Sequence, residues 1–497
     1  MTFQIRAIGR DIGTLLLIPA GMALLSLPVC IISRDWFAIM PFLATVLVAG
    51  GLSLLLYSSG QSSSKDTSLH QTLISVALGW AIIASIGALP LWLTAQAMGV
   101  DAPPTVDNFS NGLNALFEGF SGFTSAGLTM TLRPSELPHS LQWWRSLMQW
   151  VGGVGVIVLA VALMEPSQEQ YVLYQAEGRQ SRLRLTMTGT VRRIWFIYTG
   201  YTALSVLLFR AVGMTWWAAL NHSMSAISTG GFSVTDGSMG AYGAAAQLAV
   251  ILVMICGAIS FSVHDQLISK RRLSALWQER QHFFLLLLLV IGTGIVALDQ
   301  YRFVGQFSWV GSAFQWVSAL TTCGFSTQPL QFWSSTSKIL LSIAMTFGGA
   351  AGSTVGGLKL NRVLALIEAI AWRFRRTTLS PRQITLREIN GQLLNPAQAS
   401  RRIEDAVALA LLWLVVVTAG VLVLIPLVPG EYGLSDVLFE SSSALGAAGI
   451  SVGITGPSLQ WGGKCALIVL MWMGRLEIIP VLMLFYVPWH YITRRSR

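Results

Sequence analysis

The chain has 497 residues, of which 53% are hydrophobic and only 11% charged, with a mean hydropathy of +0.62. Soluble domains carry about 25% charged residues, so this composition excludes an ordinary soluble protein and indicates an integral membrane protein surrounded by membrane lipid. Lys and Arg number 32 against 22 Asp and Glu, a net charge of +10, yet the arginines gather in alternate loops, which argues for membrane topology and against a nucleic-acid partner.

In chain order, predominantly apolar stretches of the length a membrane span needs occur at 12–32, 37–58, 72–98, 146–164, 194–213, 244–263, 283–298, 336–372, 406–427 and 465–489. Arg6 and Arg10 precede the first stretch, but no small-residue cleavage site follows it, so it reads as a span and not as a signal peptide. With the N-terminus cytoplasmic, one side receives Arg6 and Arg10, then Arg179, Arg182, Arg184, Arg192 and Arg193, then Lys270, Arg271 and Arg272. The same side receives Arg373, Arg375, Arg376, Arg382, Arg387, Arg401 and Arg402, and lastly Arg494, Arg495 and Arg497. The expectation is a multi-pass protein of the cell inner membrane with both termini in the cytoplasm. Cys30, Cys256, Cys323 and Cys465 are far apart, with no CxxC pair and no metal spacing.

Between long apolar stretches one short pattern recurs four times. Ser121, Ser225, Ser318 and Ser443 are each followed six residues later by Gly127, Gly231, Gly324 and Gly449, and then by a bulky apolar residue. Such repetition marks one structural unit used four times. The segments leading into the pattern, about 108–123, 216–227, 306–320 and 434–445, are too short as helices to cross a core about 30 Å thick, so they must enter the membrane and turn back. The predicted fold is all-α and integral to the membrane. It has four pseudo-repeated membrane-pore-membrane units around one ion pathway, plus two extra N-terminal transmembrane helices. The expected boundaries are 1–62 for the N-terminal pair, then units at 63–178, 179–275, 276–390 (with a broken gate helix) and 391–497.

After the half-helices come Thr124, Ser125, Ala126 and Gly127; Ser228, Thr229, Gly230 and Gly231; Thr321, Thr322, Cys323 and Gly324; and Gly446, Ala447, Ala448 and Gly449. Irregular backbone at membrane depth survives only where it is buried in protein or lines a watery cavity. The half-helix C-termini carry partial negative charge, which favours a cation. Glycine permits carbonyl oxygens to turn inward, and a ring of carbonyls can replace the hydration shell of K+. A cation is therefore the expected transported species, with K+ a candidate, and no organic cofactor and no enzymatic activity are expected. Hydroxyls at Thr124, Ser228 and Thr321 would add a further ligand ring, which Gly446 cannot join.

These loops resemble those of the Trk/Ktr/HKT superfamily of potassium transporters, and the resemblance extends over essentially the whole chain. It includes Trp144 to Gly155 (WRSLMQWVGGVG), Ser260 to His264, Gly348 to Lys359 (GGAAGSTVGGLK) and Met473 to Arg475. The resemblance implies a Trk-type membrane subunit, a homodimer, and a cytosolic ring of nucleotide-binding regulatory subunits (TrkA-like) as partner. It also implies that the loop-closing glycines set ion preference. Members favouring sodium carry serine at the first of them, so four glycines imply K+ over Na+. Cys323 and Ala126 stand where the family often has Thr or another polar residue.

The stretch 336–372 is too long for one straight span and holds Gly348, Gly349, Gly352, Gly356 and Gly357 in its middle. Each interior glycine costs about 1 kcal/mol against alanine, so a break is expected there. The resemblance assigns a gate to Ala350, Ala351, Gly352, Ser353, Thr354, Val355, Gly356 and Gly357. Arg475, read as mid-span in 465–489, would cost about 2.5–3.5 kcal/mol on insertion scales and should face a cavity or a partner; the resemblance makes it an electrostatic barrier beside the gate, and pairing with Glu477 is the plain alternative. Glu118, His222, Gln315 and Glu440 hold matching repeat positions, either shaping the potential of the pore or hydrogen-bonding between elements. The alternatives to a selective K+ pathway are a less selective K+/Na+ transporter and, remotely, an intramembrane serine protease suggested by Gly119-Phe120-Ser121-Gly122. The fourfold recurrence of the serine argues against the protease.

Overall fold

The apolar stretches become helices, as their length and composition require. In a computed structural model the described residues are 5–60, 69–155, 187–305, 308–378, 387–389 and 391–495. Among them, six helices are long and apolar enough to cross a membrane: Ile5–Ile32, Trp36–Gly60, His70–Asp101, Gly189–Ala211, Arg280–Val304 and Ala397–Leu427. The first two lie against each other through small residues: the Ser53 hydroxyl donates to the Gly13 carbonyl at 2.6 Å, and Gly13 leaves no room for a side chain beside the backbone of residues 53 and 57. The expected residues Arg179, Arg182, Arg184, Arg382 and Arg497 and the boundaries 62/63 and 178/179 lie outside the described residues.

Four short helices, Gly112–Phe123, Trp216–Ile227, Trp309–Leu320 and Leu434–Gly446, occupy the predicted half-helix positions within a few residues. Local chemistry explains their starts. Asn111 and Thr215 cap the first two, accepting the backbone N–H of Leu113 and Ala218, and Asp436 returns to the Gly433 N–H in the fourth. Each is followed by a second helix: His139–Val154, Ala244–Ala258, Ser335–Thr346 and Trp461–Arg475.

Breaks in these second helices are more general than the glycine content indicates. The third is interrupted between Thr346 and Leu360 as expected. The second turns by 102° between Ala258 and Phe261, and the fourth by 108° between Arg475 and Ile479. The single spans read at 244–263 and 465–489 are thus corrected: Arg475 is the last residue of a helix and not a mid-span residue. Glu477 and Ile478 take left-handed backbone at φ 57° and 69°, which ends the helix without a glycine. A two-stranded antiparallel hairpin, Arg387–Ile389 with Gln392–Leu394, is the one strand pair among the described residues. It buries Ile389 and Leu394 with Ala399 and Ala406 in a small separate cluster.

Candidate functional site

All four half-helices end in the same hydrogen-bond pattern. The Ser121 carbonyl accepts the Ala126 N–H at 2.9 Å and the Gly122 carbonyl accepts the Ser125 N–H at 3.0 Å, the paired bonds of a Schellman motif. The pair recurs as Gly230 to Ser225 (2.8 Å) with Thr229 to Ala226 (3.1 Å), Cys323 to Ser318 (2.9 Å) with Thr322 to Ala319 (3.1 Å), and Ala448 to Ser443 (2.8 Å) with Ala447 to Ala444 (3.2 Å). The serine that marks the repeat therefore closes the helix through its backbone oxygen. Ser121 Oγ, Ser225 Oγ and Ser443 Oγ have no hydrogen-bond partner among the described residues, and no histidine among them is bonded to Ser121.

The motif demands a left-handed residue, and here it is Ser125, Thr229, Thr322 and Ala447, at φ 54°, 52°, 46° and 51°. An L-residue in that conformation costs roughly 1–2 kcal/mol, so strain is stored at the same level of each loop. Two residues on, Gly127, Gly231, Gly324 and Gly449 are also left-handed. Gly127 faces the carbonyl oxygen of Gly230, Gly231 that of Cys323, Gly324 that of Ala448, and Gly449 that of Ala126. The sequence of contacts passes from each loop to the next and returns to the first, so the four loops close a ring. A Cβ on any of the four glycines would come closer than 3.0 Å to its neighbour's carbonyl oxygen, which is why only glycine fits.

Behind the ring, one polar side chain per half-helix braces the ascending chain. Glu118 accepts from Thr129 Oγ1 and the Met130 N–H, both at 2.8 Å; His222 Nε2 meets Ser233 Oγ at 3.0 Å; Gln315 donates to Thr327 Oγ1 at 3.2 Å; Glu440 accepts from Ser451 Oγ at 2.8 Å. Of the two readings of this polar level, hydrogen bonding between elements describes all four. Glu118 alone also pairs with a buried arginine, Arg145, at 2.7 Å, whose guanidinium reaches the Ser233 carbonyl at 3.3 Å and stacks over Phe232. The hydroxyls of Thr124 and Thr321 donate back to Phe120 and Val317 at 2.7 Å, and Ser228 to Ser225 at 3.1 Å. With their protons committed to the helices, these oxygens remain as acceptors.

The segment between Thr346 and Leu360 folds against this ring. Ala350 donates to Ala258 at 3.1 Å, Ala351 to Gln281 Oε1 at 3.1 Å, and Thr354 Oγ1 lies 3.1 Å from the Ile227 carbonyl at the end of the second half-helix. The Gly356 N–H donates to Thr322 Oγ1 at 2.9 Å, and Gly356 lies against the Gly446 carbonyl without room for a side chain. Gly352 and Gly357 adopt φ 80° and 67°, the Ser353 hydroxyl turns back to Ala350 at 2.6 Å, and the Val355 carbonyl accepts from Lys359 Nζ. All eight residues assigned to the loop are thus in one body that touches the second, third and fourth ring loops.

Arg475 satisfies its charge with carbonyl dipoles. Its guanidinium donates to Gly152, to Gly153 at 3.1 Å and to Thr354 at 3.3 Å, and lies 5.7 Å from the centre of the Trp80 ring. Gly152 and Gly153 end a helix, where partial negative charge favours a cation. Glu477 pairs instead with Arg362 at 2.6 Å, so the alternative partnership of Arg475 with Glu477 is not the one formed. The cavity lined by Trp80, Ser353, Gly356, Arg475 and Glu477 has a volume of 30 Å³, room for one or two waters. Sequence reasoning missed the partners of Arg475 and the bond from Thr322 to Gly356, because both join residues more than 30 positions apart.

Four short helices, a closed ring of glycine loops and an interrupted helix packed on that ring make up the site. Residues 37–491 match the TrkH family of cation transport proteins. The chain belongs to the TrkH family. It is 34% identical over 423 residues to an uncharacterized cation transporter of Methanocaldococcus jannaschii, covering 85% of this chain and 83% of that one. It is 30% identical to the Trk system potassium uptake protein TrkH of Halomonas elongata, covering 97% and 98%. The crystal structure of the potassium transporter TrkH from Vibrio parahaemolyticus superposes with a TM-score of 0.82 at 26% identity, over 97% of this chain and 98% of that one. This TrkH-family chain is accordingly a multi-pass membrane protein of a transporter family.

Proposed function

We propose that this protein takes up K+ across the cell inner membrane, selecting the ion in the ring of Gly127, Gly231, Gly324 and Gly449. The observation that carries the reading is the cyclic placement of four equivalent backbone carbonyls, those of Ala126, Gly230, Cys323 and Ala448, each facing the glycine of the preceding loop around the ring. Backbone dipoles converging at half-helix C-termini suit a dehydrated monovalent cation, and relatives over nearly the full length are potassium uptake proteins. The ring-loop residues supply the ligands: Thr124 to Gly127, Ser228 to Gly231, Thr321 to Gly324 and Gly446 to Gly449.

The segment Ala350–Gly357 is the gate, held closed by Arg475. Support comes from the loop's contacts with three of the four ring loops, at Thr229, Thr322 and Gly446, and from the bond of the Arg475 guanidinium to the Thr354 carbonyl. Arg475 adds a positive charge on the ion's route. The chain works as a homodimer with a cytosolic nucleotide-binding ring, both termini cytoplasmic, as membership of the family and the distribution of arginines suggest. The experiment is 86Rb+ uptake into proteoliposomes with competing K+ or Na+. Strong competition by K+ and weak competition by Na+ is the expected result. Equal competition would establish the second reading, a broad K+/Na+ pathway, which rests on Ala126 and Cys323 standing where the family often has a polar residue.

A further inference from the structure

The second helices of the four units hold one equivalent position that differs in a single unit. It is the eleventh residue of each helix: Gln149, Met254, Met345 and Met471, all with 0% exposure. Three residues on, Gly152, Gly257 and Gly474 lie against the carbonyls of Phe123, Ile227 and Leu445, the residues just before their ring loops, which confirms the register. Three units place a methionine here and one an amide.

The amide is fully used. Gln149 Nε2 donates to the Gly230 carbonyl at 2.6 Å and Gln149 Oε1 accepts the Phe232 N–H at 2.9 Å, so the side chain brackets Gly231 from behind. A backbone N–H can only donate, which fixes the amide's orientation: the oxygen faces Phe232 and the nitrogen faces Gly230. The Gln149 carbonyl also accepts the Ser125 hydroxyl at 3.1 Å, tying the first loop to the same residue. Gly230 lacks a side chain where Gln149 Cδ stands. The Gly230 oxygen is the one that faces Gly127, and among the described residues the corresponding oxygens of Ala126, Cys323 and Ala448 accept no hydrogen bond.

We infer that Gln149 is a positioning residue for ion selectivity: its amide fixes the peptides on either side of Gly231 and makes the second carbonyl of the ring a weaker ligand than the other three. This rests on the ring being the site of selection. A carbonyl that shares its lone pairs with an N–H donor offers less charge to a cation, and a carbonyl held in place cannot move inward to grip a smaller one. Both effects disfavour Na+, whose shorter ligand distances require the ring to contract.

The test is 86Rb+ uptake into proteoliposomes, reading the ratio of the inhibition constants of Na+ and K+ for wild type, Gln149→Met, Gln149→Glu and Gly127→Ser. Met fills this position in three units, so Gln149→Met should fold, and losing a net hydrogen bond on the ring should lower the K+ preference roughly fivefold. Gln149→Glu keeps the acceptor for Phe232 and exchanges the N–H donor to Gly230 for a protonated carboxyl's O–H, so a preference restored in Glu but lost in Met assigns the effect to that donor. A residue that only packs would reduce uptake without moving the ratio. A ratio shifted in Gly127→Ser but unchanged in both Gln149 variants overturns the role of Gln149 and leaves the ring standing. A ratio unchanged in all three variants overturns the ring, and this proposal with it.

Discussion

The hydroxyl of Thr322 accepts the backbone N–H of Gly356 at 2.9 Å, so a residue strained at φ 46° in the ring is bonded directly to the interrupted helix of its own unit. If the loop Ala350–Gly357 is the gate, this bond couples gate and ring. Thr322→Val keeps the shape and removes the acceptor. One lost hydrogen bond is worth about 1 kcal/mol, so 86Rb+ uptake without any regulatory partner should rise about fivefold. Uptake equal to wild type would show that the bond does not hold the loop.

Arg475 ties the fourth unit to the Gly152 and Gly153 carbonyls of the first and to the Thr354 carbonyl of the third. Arg475→Ala should raise uptake in proteoliposomes by more than Thr322→Val does, since it removes several charge-assisted bonds together with the positive charge. Arg475→Lys should be intermediate, because an ammonium keeps the charge but cannot span three carbonyls in one plane. Uptake in Arg475→Ala at or below the wild-type level would contradict the barrier role.

Glu118 and Glu440 are equivalent in the repeat but unequal in partners. Glu118 is paired with Arg145, both being almost wholly buried, while Glu440 has hydroxyl and backbone donors but no basic partner among the described residues. Arg145→Met should therefore leave Glu118 uncompensated and cost about 3–5 kcal/mol, seen as a large fall in thermal unfolding temperature in detergent. Glu440→Gln, which retains an acceptor, should lower it far less. Equal falls would mean that the ion pair adds nothing to the brace.

Much of this arrangement is legible in the sequence, and the reasons differ by element. The half-helices could be bounded because Ser121 to Gly127 and its three copies concentrate small residues between long apolar runs, and the break after Thr346 because five glycines crowd one span. The breaks after Ala258 and Arg475 carry no such mark. Ser260, which caps the following helix by accepting the Val263 N–H, was the available signal for the first. Leu476, Glu477 and Ile478 offer none, since the left-handed backbone at Glu477 and Ile478 goes with tertiary contacts such as the pair of Glu477 with Arg362. Equivalence of Glu118 with His222, Gln315 and Glu440 was visible by position, but their common bracing task depends on chain segments that return 11 or 12 residues later.

The Gly127 position tests the ring sterically. A serine there would push its Cβ into the Gly230 carbonyl and keep a strained left-handed backbone. A folded Gly127→Ser chain must displace that carbonyl, and should lose most of its preference for K+ over Na+ in competition uptake. The same substitution at Gly50, where nothing lies within 4 Å, should leave the preference unchanged.

In the proposed pathway one cation is held by carbonyls from all four loops. Anomalous diffraction from crystals grown with Tl+ in place of K+ tests it most directly. A peak within ligand distance of the oxygens of Ala126, Gly230, Cys323 and Ala448 is the predicted result; Tl+ peaks confined to positions away from these four loops would contradict the account.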